Sequence, residues 1–228
     1  MAPLVHQRWE DVAFVHHAYP PEAVAALLPE GLVPDTFGGS AWVGITPFRM
    51  RSGVAPFLSA PRITVGEVNV RTYVRDAAGS DAIWFLTLEL DHLVAATALR
   101  AALGVPYRWA SVEVAREGDE VRYRSRRRAP HAPARLDLRI CVGDPLGDPE
   151  PPPLETFLSS RWRAYTRTLG VPVAVPVEHE PWPLRGAELL AVDTDLLTDL
   201  GLPPPAGEPH VMFSPGVEVR IGFPRPLR

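Results

Sequence analysis

With 228 residues, of which 46% are apolar, the chain is long enough for one domain with a substantial core, and wholesale disorder is excluded. Its net charge of −4 gives it no electrostatic reason to bind nucleic acid or an anionic membrane. All 23 basic residues are arginines, and a chain without lysine is excluded from Schiff-base and pyridoxal-lysine mechanisms, because arginine stays protonated and forms no imine.

Three features of the sequence bear on where the protein resides. No apolar stretch approaches the roughly 20 residues that span a bilayer, and the first ten residues lack the basic patch and apolar run of a signal peptide. A single cysteine, Cys141, forms no internal disulfide, which suits a reducing compartment. We therefore expect a soluble, cytoplasmic protein with neither a membrane nor a nucleic-acid partner.

The chain is predicted to begin with a strand, a short helix and a second strand. The first strand covers 9–19, and Pro20-Pro21 then opens a helix over 22–28, because proline is tolerated in the first helical turn. The second strand covers 40–50 and follows the Gly38-Gly39 turn.

The segment 63–75 is predicted to be a strand whose two faces differ in chemistry. With a period of two, one face is β-branched and apolar, so it packs on a core. The other face is polar, mixed in charge and aromatic, and comprises Ile63, Val65, Glu67, Asn69, Arg71, Tyr73 and Arg75.

The rest of the chain is predicted to be mostly strand. A partner strand covers 82–91, and the Ala- and Leu-rich segment 93–103 is a helix that Gly104 caps and Pro106 ends. A hairpin joins 110–116 to 121–127. Further strands are predicted over 136–142, 161–168, 171–178, 189–192 and 217–223, with a short helix over 154–160.

About nine short strands with two or three short helices indicate an α+β fold, mainly antiparallel β, with the sheet curled or closed on itself. Strands do not alternate with long helices, which argues against a doubly wound nucleotide-binding fold. The proline-rich segment 145–153 is the only candidate boundary, and we interpret it as a surface loop. We therefore expect a single domain over 1–228.

The sequence lacks the common motifs of cofactor and metal sites. It contains no GxGxxG, GxxxxGK[ST], GxSxG or HExxH pattern. His16 and His17 are adjacent on a strand and so point to opposite faces, and the other histidines are scattered. Cys141 lies in an apolar strand, where a buried inert thiol is expected. We therefore predict neither a metal nor a cofactor.

Polar strand faces are the remaining signal, and they allow two interpretations. Glu67, Asn69, Arg71 and Tyr73 form one such face; Phe85, Thr87 and Glu89 form a second, and Arg161, Arg163 and Tyr165 a third. Such faces are ordinary on the solvent side of a sheet. If the sheet closes, they line an interior, where unpaired charges are costly unless they meet a ligand. That interior would suit a small, polar, anionic molecule.

Six stretches that occur in order over essentially the whole chain are similar to a known family. They are AWVGITPFRM (41–50), EVNVRTYV (67–74), WFLTLEL (84–90), LGVPYRWA (103–110), FLSSRWRAY (157–165) and HEPWPL (179–184). They resemble the bacterial family called domain of unknown function 2071, of the acetoacetate decarboxylase-like superfamily. The resemblance implies a cone-like closed β-barrel with flanking short helices and an internal pocket, and a homo-oligomer.

The superfamily's decarboxylases carry a Schiff-base lysine and a second lysine just after a Gly-x-Pro turn. Here the turn reads Gly104-Val105-Pro106-Tyr107-Arg108, so the resemblance places Tyr107 at the nucleophile and Arg108 beside it. A phenol exchanges protons but forms no imine, so decarboxylation by that route is not inherited.

The superfamily's pocket glutamate corresponds to Glu67. The chain departs from the family's common sequence at two sites. The common Phe-Ser-Leu-Asp is replaced by Phe-Leu-Thr-Leu-Glu over 85–89, which shifts the acidic position to Glu89. Arg161 lacks the acidic residue that commonly precedes it.

These residues support three hypotheses. In the first, the protein is an enzyme acting on a carboxylate or enolisable carbonyl compound, with Glu67 as general acid/base and Tyr107 as proton donor or oxyanion partner. The substrate-binding residues would be Arg71, Arg161, Asn69, Tyr73, Glu89 and Arg108. In the second, the same pocket binds a ligand without turnover. In the third, the polar interior of the barrel only pairs glutamate with arginine, and the protein is a structural or interaction module.

Overall fold

The fold is mostly β-sheet with few helices, seen here in a computed structural model that describes residues 5–54, 63–147, 152–168 and 170–227. The strands are β1 (Val5–Tyr19), β2 (Leu32–Pro34), β3 (Thr36–Phe37), β4 (Ser40–Val54), β5 (Ile63–Asp76), β6 (Asp81–Leu90), β7 (Tyr107–Glu117), β8 (Glu120–Arg127), β9 (Arg135–Pro145), β10 (Arg163–Thr168), β11 (Val171–His179), β12 (Arg185–Thr194), β13 (His210–Ile221) and β14 (Arg225–Pro226). The helices are α1 (Pro21–Ala25), α2 (Leu93–Leu103) and α3 (Pro153–Ser159), with one 3₁₀ turn over Thr198–Leu200.

All fourteen strands belong to one sheet. The path runs β14-β11-β10-β6-β7-β8-β9-β12-β13-β1-β4-β5-β2, while β3 pairs with β4. Two further pairings, β5 with β6 and β11 with β13, connect distant points of this path. Among the described strands, the pairs β6–β7 and β6–β10 are parallel and the others are antiparallel, as a mainly antiparallel fold requires.

Strand β5 packs on a different cluster at each face. Val68 and Val70 contribute to one apolar core, and Tyr73 contributes to a second. Glu67, Asn69 and Arg71 share the face of Tyr73, so the polar face predicted for this strand is buried and does not face solvent.

Each predicted element is present in the structure, but the bounds of several differ. Helix α1 ends at Ala25, three residues before its predicted end. Helix α2 has the predicted bounds, because Gly104 adopts the left-handed conformation that ends it. Strand β13 begins at His210, seven residues before the predicted start. It is longer than predicted because it pairs with the long strand β1 along its whole length. Strands β2, β3 and β14 were not predicted, since two or three residues carry no visible alternation.

The predicted loop over 145–153 is described only in part. Strand β9 extends to Pro145 and helix α3 begins at Pro153, and residues 148–151 lie outside the described ranges. Within the described residues, none of the helices combines the length and the apolar character needed to cross a membrane.

A β-bulge in β6 changes which of its side chains share a face. Arg71 pairs with Phe85 but Val70 pairs with Thr87, so Leu86 is an extra residue without a counterpart on β5. The alternation therefore shifts by one at Leu86. Phe85 and Leu88 lie on one face, whereas Thr87 and Glu89 lie on the other. The prediction that Phe85, Thr87 and Glu89 share a face was wrong, because simple alternation does not hold across a bulge.

Candidate functional site

A cavity of about 90 Å³ lies against the polar face of β5. Its polar wall includes Glu67, Asn69, Arg71, Tyr107, Arg161 and His179, and apolar side chains such as Trp9, Phe85, Leu88 and Trp182 complete it. This volume is well below the 300–1,000 Å³ of pockets for drug-sized ligands, so the cavity suits a molecule of a few heavy atoms.

Three polar side chains reach the cavity from alternate positions of one strand. Glu67, Asn69 and Arg71 are 4%, 2% and 4% exposed. Successive residues of a strand point to opposite faces, so the i, i+2, i+4 spacing places all three on the wall. Their positions are rigid, because β5 pairs with β4 along ten residues on one side and with β6 on the other.

Tyr107 reaches the same wall because a glycine turn redirects the chain after helix α2. Gly104 has φ of 66°, and a Cβ there would lie 1.7 Å from the carbonyl oxygen of Arg167, so both conformation and space require glycine. Tyr107 then pairs with Leu88 at the start of β7. Its hydroxyl donates to Glu67 Oε2 across 3.4 Å, a long hydrogen bond.

Burial dominates the electrostatics of this pair. Desolvation raises the pKa of Glu67 to about 7, although hydrogen bonds from Tyr107 and Asn69 act in the opposite direction. Burial and the neighbouring Glu67 charge raise the pKa of the Tyr107 phenol well above its usual value. Near neutral pH, Glu67 can therefore gain or lose a proton, while Tyr107 remains a hydrogen-bond donor.

Arg71 is a buried cation that forms no ion pair with any carboxylate in the described part of the chain. Its Nη2 donates to the Leu158 carbonyl across 3.3 Å, and its guanidinium lies 5.3 Å from the ring centroid of Phe14 and 6.0 Å from that of Tyr73. These contacts hold the side chain but do not neutralise its charge. The cavity wall is therefore electropositive at Arg71.

Arg161 also lines the cavity, but its charge is already paired. Its Nη1 lies 2.7 Å from Asp81 Oδ2 and 2.9 Å from Asp35 Oδ2, and its Nε donates to the Phe157 carbonyl. Residues 161 and 162 precede β10 and are not in a strand. The prediction that Arg161, Arg163 and Tyr165 form one strand face was therefore wrong: Arg161 lines the cavity, whereas Arg163 is exposed.

Tyr73 lies behind the wall and is fully buried, so it does not line the cavity. Its hydroxyl donates to the Leu158 carbonyl, the same oxygen that Arg71 contacts, and lies 2.7 Å from His16 Nε2. Burial and the Arg71 charge lower the pKa of His16 well below its usual value, so this histidine is neutral. Tyr73 thus supports the position of helix α3 and, through Leu158, of Arg71.

Glu89 and Arg108 are not brought to the cavity. Glu89 is fully buried on the opposite face of β6, where Arg127 Nη2 lies 2.7 Å from its Oε1. The bulge at Leu86 is the reason, because it turns Leu88 toward the cavity and Glu89 away from it. Arg108 pairs with Glu89 in register and lies 3.2 Å from His131 Nδ1. Their predicted role in substrate binding stays a prediction.

The sequence matches the model of a known protein family. The family model for DUF2071, described as "Uncharacterized conserved protein", matches residues 6–218. The chain belongs to this family.

Further comparisons show what this DUF2071 protein is similar to in sequence and in fold. The uncharacterized protein YqjF of Bacillus subtilis (strain 168) is 29% identical over 215 residues, which cover 92% of this chain and 87% of YqjF. An acetoacetate decarboxylase-like enzyme from Sphingomonas wittichii RW1 has a TM-score of 0.70 at 14% identity, covering 100% of this chain and 94% of that one. The enduracididine biosynthesis enzyme MppR complexed with pyruvate has a TM-score of 0.69 at 16% identity, covering 100% and 92%. The fold is therefore acetoacetate decarboxylase-like.

Sequence reasoning missed two cavity residues of the DUF2071 chain, although both lie in the HEPWPL stretch. His179 and Trp182 line the cavity, and their ring centroids are 4.9 Å apart. His179 Nδ1 lies 2.7 Å from the Glu180 carbonyl, and burial lowers the pKa of its ring. His179 is the last residue of β11, and residues 180–184 form an irregular segment, where strand periodicity gives no direction for the Trp182 side chain.

Metal ligation finds no support in the ranges described: nowhere do three His, Cys, Asp or Glu side chains come close enough together to hold an ion.

Proposed function

We propose that this protein is a small-molecule enzyme that transfers a proton on a carboxylate or enolisable carbonyl compound, with Glu67 as general acid/base and Tyr107 as proton donor or oxyanion partner. The observation that carries the proposal is a buried carboxyl group with a pKa of about 7 on a cavity wall, in hydrogen-bond contact with a neutral phenol. Enzymes tune a catalytic carboxyl toward the working pH by such burial.

Arg71 would bind the carboxylate of the substrate. It is the cavity's unpaired cation among the described residues, whereas Arg161 already pairs with Asp35 and Asp81. A buried guanidinium recognises a carboxylate through charge-assisted hydrogen bonds. The complex of MppR with pyruvate supports a small carboxylate as the ligand of this fold, and the cavity has a matching size.

The chemistry needs neither lysine nor metal. In an enolisation, the Glu67 carboxylate takes the proton from the carbon beside the carbonyl, and the C–H electron pair becomes the C=C bond. The carbonyl π pair moves to oxygen, which accepts the Tyr107 proton. Glu67 then returns its proton to Tyr107 across their contact, so the net change is one proton moved from carbon to oxygen.

We further infer that the sheet forms a cone-like closed barrel and that residues 1–228 make a single domain. The pairings β5–β6, β6–β10, β10–β11, β11–β13, β13–β1, β1–β4 and β4–β5 support this, because they form a ring of seven strands. A closed ring would give the cavity a continuous wall and leave those strands without free edges. A homo-oligomer, which the family resemblance implies, stays a prediction.

Exchange of carbon-bound hydrogen is a direct test. The protein is incubated with pyruvate, acetoacetate or 2-oxobutyrate in D₂O, and loss of the C–H signal next to the carbonyl is followed by NMR. We expect catalysed exchange with at least one of these acids, and a loss of about 10²–10⁴-fold in Glu67→Gln. Glu113→Gln, on an exposed strand face, is the matched control and should retain the rate.

The outcome also separates the three hypotheses. Binding of an acid without exchange would make the protein a ligand-binding protein that uses the same cavity. Absence of both binding and exchange would leave a structural module. Within the described residues no ion pair joins Glu67 to Arg71, which favours the first two hypotheses over a purely structural pairing of these two residues.

A further inference from the structure

The cavity wall opposite the polar face of β5 is built mainly from apolar side chains. Two strands, β6 and β10, separate β5 from β11 in one direction along the strand pairings, and three, β4, β1 and β13, separate them in the other. Ala164 of β10 and Val175 and Val177 of β11 therefore line the cavity across from Glu67 and Arg71. One wall of the cavity is thus charged, and the facing wall is mainly hydrocarbon.

Most polar side chains that also line the cavity already have partners within the protein. The hydroxyls of Ser159 and Thr166 donate to backbone carbonyls across 2.7 and 2.9 Å, and these residues are 5% and 4% exposed. Gln7 Oε1 accepts from Trp9 Nε1 across 2.7 Å. Arg161 is paired with two aspartates. These groups therefore give a ligand little opportunity for hydrogen bonds.

Asn69 and His179 are also poorly placed to bind a polar group of a ligand. Asn69 is 2% exposed, and its Oδ1 has almost no accessible surface, so that atom is closed to a molecule in the cavity. Two tryptophan rings, with centroids 4.6 and 4.9 Å away, pack on the His179 ring, whose Nδ1 is bonded to a backbone carbonyl. Polar contacts for a ligand are therefore concentrated at Arg71 and at the pair of Glu67 and Tyr107.

Arg71 can hold only one end of a ligand. Its Nε has almost no accessible surface and its Nη2 donates to the Leu158 carbonyl, which leaves Nη1 for a carboxylate oxygen. The rest of the ligand then extends toward the apolar wall of Ala164, Val175 and Val177. A hydroxyl or ammonium group there would lose its water and meet hydrocarbon, which is unfavourable, whereas an alkyl group gains free energy from the same burial.

We propose that the ligand of this cavity is a short carboxylate whose far end is an alkyl group, with the carboxylate on Arg71 Nη1 and the alkyl group against Ala164, Val175 and Val177. The inference rests on the proposed carboxylate site and extends it to a class of ligand. A short aliphatic oxo acid belongs to this class, because Glu67 and Tyr107 supply the polar contact for its carbonyl group. Acids of the same length that end in a hydroxyl or an ammonium group do not belong to it.

Four acids without a carbonyl group that could react test this inference by calorimetry. Butyrate ends in a methyl group, 3-hydroxypropionate in a hydroxyl and β-alanine in an ammonium group, and propionate lacks the terminal group. We expect butyrate to bind about fourfold more tightly than propionate, which is the effect of one buried methylene. Butyrate should bind at least about tenfold more tightly than 3-hydroxypropionate, because a hydrophobic site rejects a hydroxyl isostere by about that factor or more. β-Alanine should bind most weakly of the four.

Hydroxyl groups added to the apolar wall should reduce this preference. Val177→Thr replaces a methyl with a hydroxyl at nearly constant volume, and Ala164→Ser adds a hydroxyl on the neighbouring strand. In each variant the preference for butyrate over 3-hydroxypropionate should fall by about threefold or more, since the ligand hydroxyl gains a partner. Val171→Thr is the matched control and should keep the preference, because Val171 lies on the same strand, is 54% exposed and does not line the cavity. Urea unfolding identifies any variant that is not folded.

Failure of the inference differs from failure of the proposed function. If none of the four acids binds, the carboxylate site is wrong and the inference falls with it. If the acids bind but butyrate has no advantage over 3-hydroxypropionate or β-alanine, the carboxylate site stands and the alkyl inference is overturned. It is also overturned if both wall variants are folded and keep the wild-type preference. A preference for butyrate without catalysed hydrogen exchange of oxo acids in D₂O would support the inference and contradict the proposed reaction.

Discussion

The Tyr107 hydroxyl lies 3.4 Å from Glu67 Oε2, although 40 positions separate the two residues in the sequence. The contact joins the middle of the sheet to the turn that follows helix α2. Because burial acts on both groups, the carboxyl titrates near neutrality and the phenol stays protonated. The pair can therefore take up one proton and release another without either group leaving its place.

Replacing Glu67 by glutamine should change how stability depends on pH. The pKa of this carboxyl rises from 4.5 in the unfolded chain to about 7 in the fold, so the native state binds the extra proton between these values. The contribution of Glu67 to stability is therefore greatest below pH 4.5 and falls by about 3 kcal/mol as pH rises from 4.5 to 7. Glutamine does not titrate, so the unfolding free energy of Glu67→Gln relative to that of wild type should rise by the same amount between pH 4.5 and pH 8.

Urea unfolding at both pH values measures this difference, and Glu113→Gln should show none of it. A variant that is less stable than wild type by the same amount at pH 4.5 and pH 8 would indicate a structural role for Glu67 instead.

The rate of hydrogen exchange should rise with pH and reach half its maximum near pH 7. The base is the ionised form of Glu67, so activity is lost as pH falls through the pKa of this group. Tyr107→Phe removes a hydrogen bond that lowers this pKa, so the midpoint should move upward and the rate should fall. Tyr123→Phe, whose hydroxyl donates to the Asp11 carbonyl, is the control and should keep the midpoint. A wild-type midpoint near 4.5 would exclude the buried carboxyl as the base.

Arg71 and Arg161 should differ in what their loss changes. Arg161→Gln removes one partner from Asp35 and one from Asp81 and should cost about 2 kcal/mol of unfolding free energy, because Arg75 still pairs with Asp35. Arg71→Gln breaks no ion pair among the described residues, so we expect a change within about 1 kcal/mol and a loss of carboxylate binding. Denaturant titration and calorimetry on the same samples measure both effects. The opposite order of destabilisation would contradict the assignment of Arg71 as the ligand's partner.

The buried pair of Glu89 and Arg127 should behave as a coupled structural unit. Their side chains are 0% and 3% exposed and 2.7 Å apart, so Arg127→Met leaves a buried carboxylate and should cost about 3 kcal/mol. Glu89→Gln should cost less, because Arg127 keeps its second partner, Asp199, at 2.6 Å. In Glu89→Gln with Arg127→Met, the total cost should be smaller than the sum by about 2 kcal/mol. Equal and additive costs in a double-mutant cycle would argue against the pair. Weaker ligand binding by Glu89→Gln at unchanged stability would instead support its predicted role at the site.

Periodicity predicted much of the fold and part of the site. The alternation of 63–75 placed Glu67, Asn69 and Arg71 on one face, and the structure places all three on the cavity wall. The Gly-x-Pro turn brought Tyr107 into consideration, and Gly104 is indeed held in a conformation and a space that only glycine fits. Local rules suffice for the three residues of β5, because one strand positions them, whereas Tyr107 was placed by the family resemblance.

What the sequence did not predict depends on contacts between distant segments. Tyr73 shares the face of Arg71 but is covered by Leu158 and His16, which no pattern in β5 reveals. Arg161 reaches the cavity from a segment that is not a strand, and its two aspartates come from other elements. Whether a buried arginine is paired is a property of tertiary structure, and it separates Arg71 from Arg161.

The extra residue at Leu86 has a consequence for comparing relatives. The bulged residue pairs with no residue of β5, so a relative can lack it while the segments before and after it keep the same faces toward the cavity. A relative without it would present Phe85 and Leu88 equivalents to the cavity two positions apart instead of three. Equivalent side chains of β6 in two relatives are therefore the ones that oppose the same residue of β5. Two acidic residues that differ by one position in a sequence alignment can lie on opposite faces of the sheet.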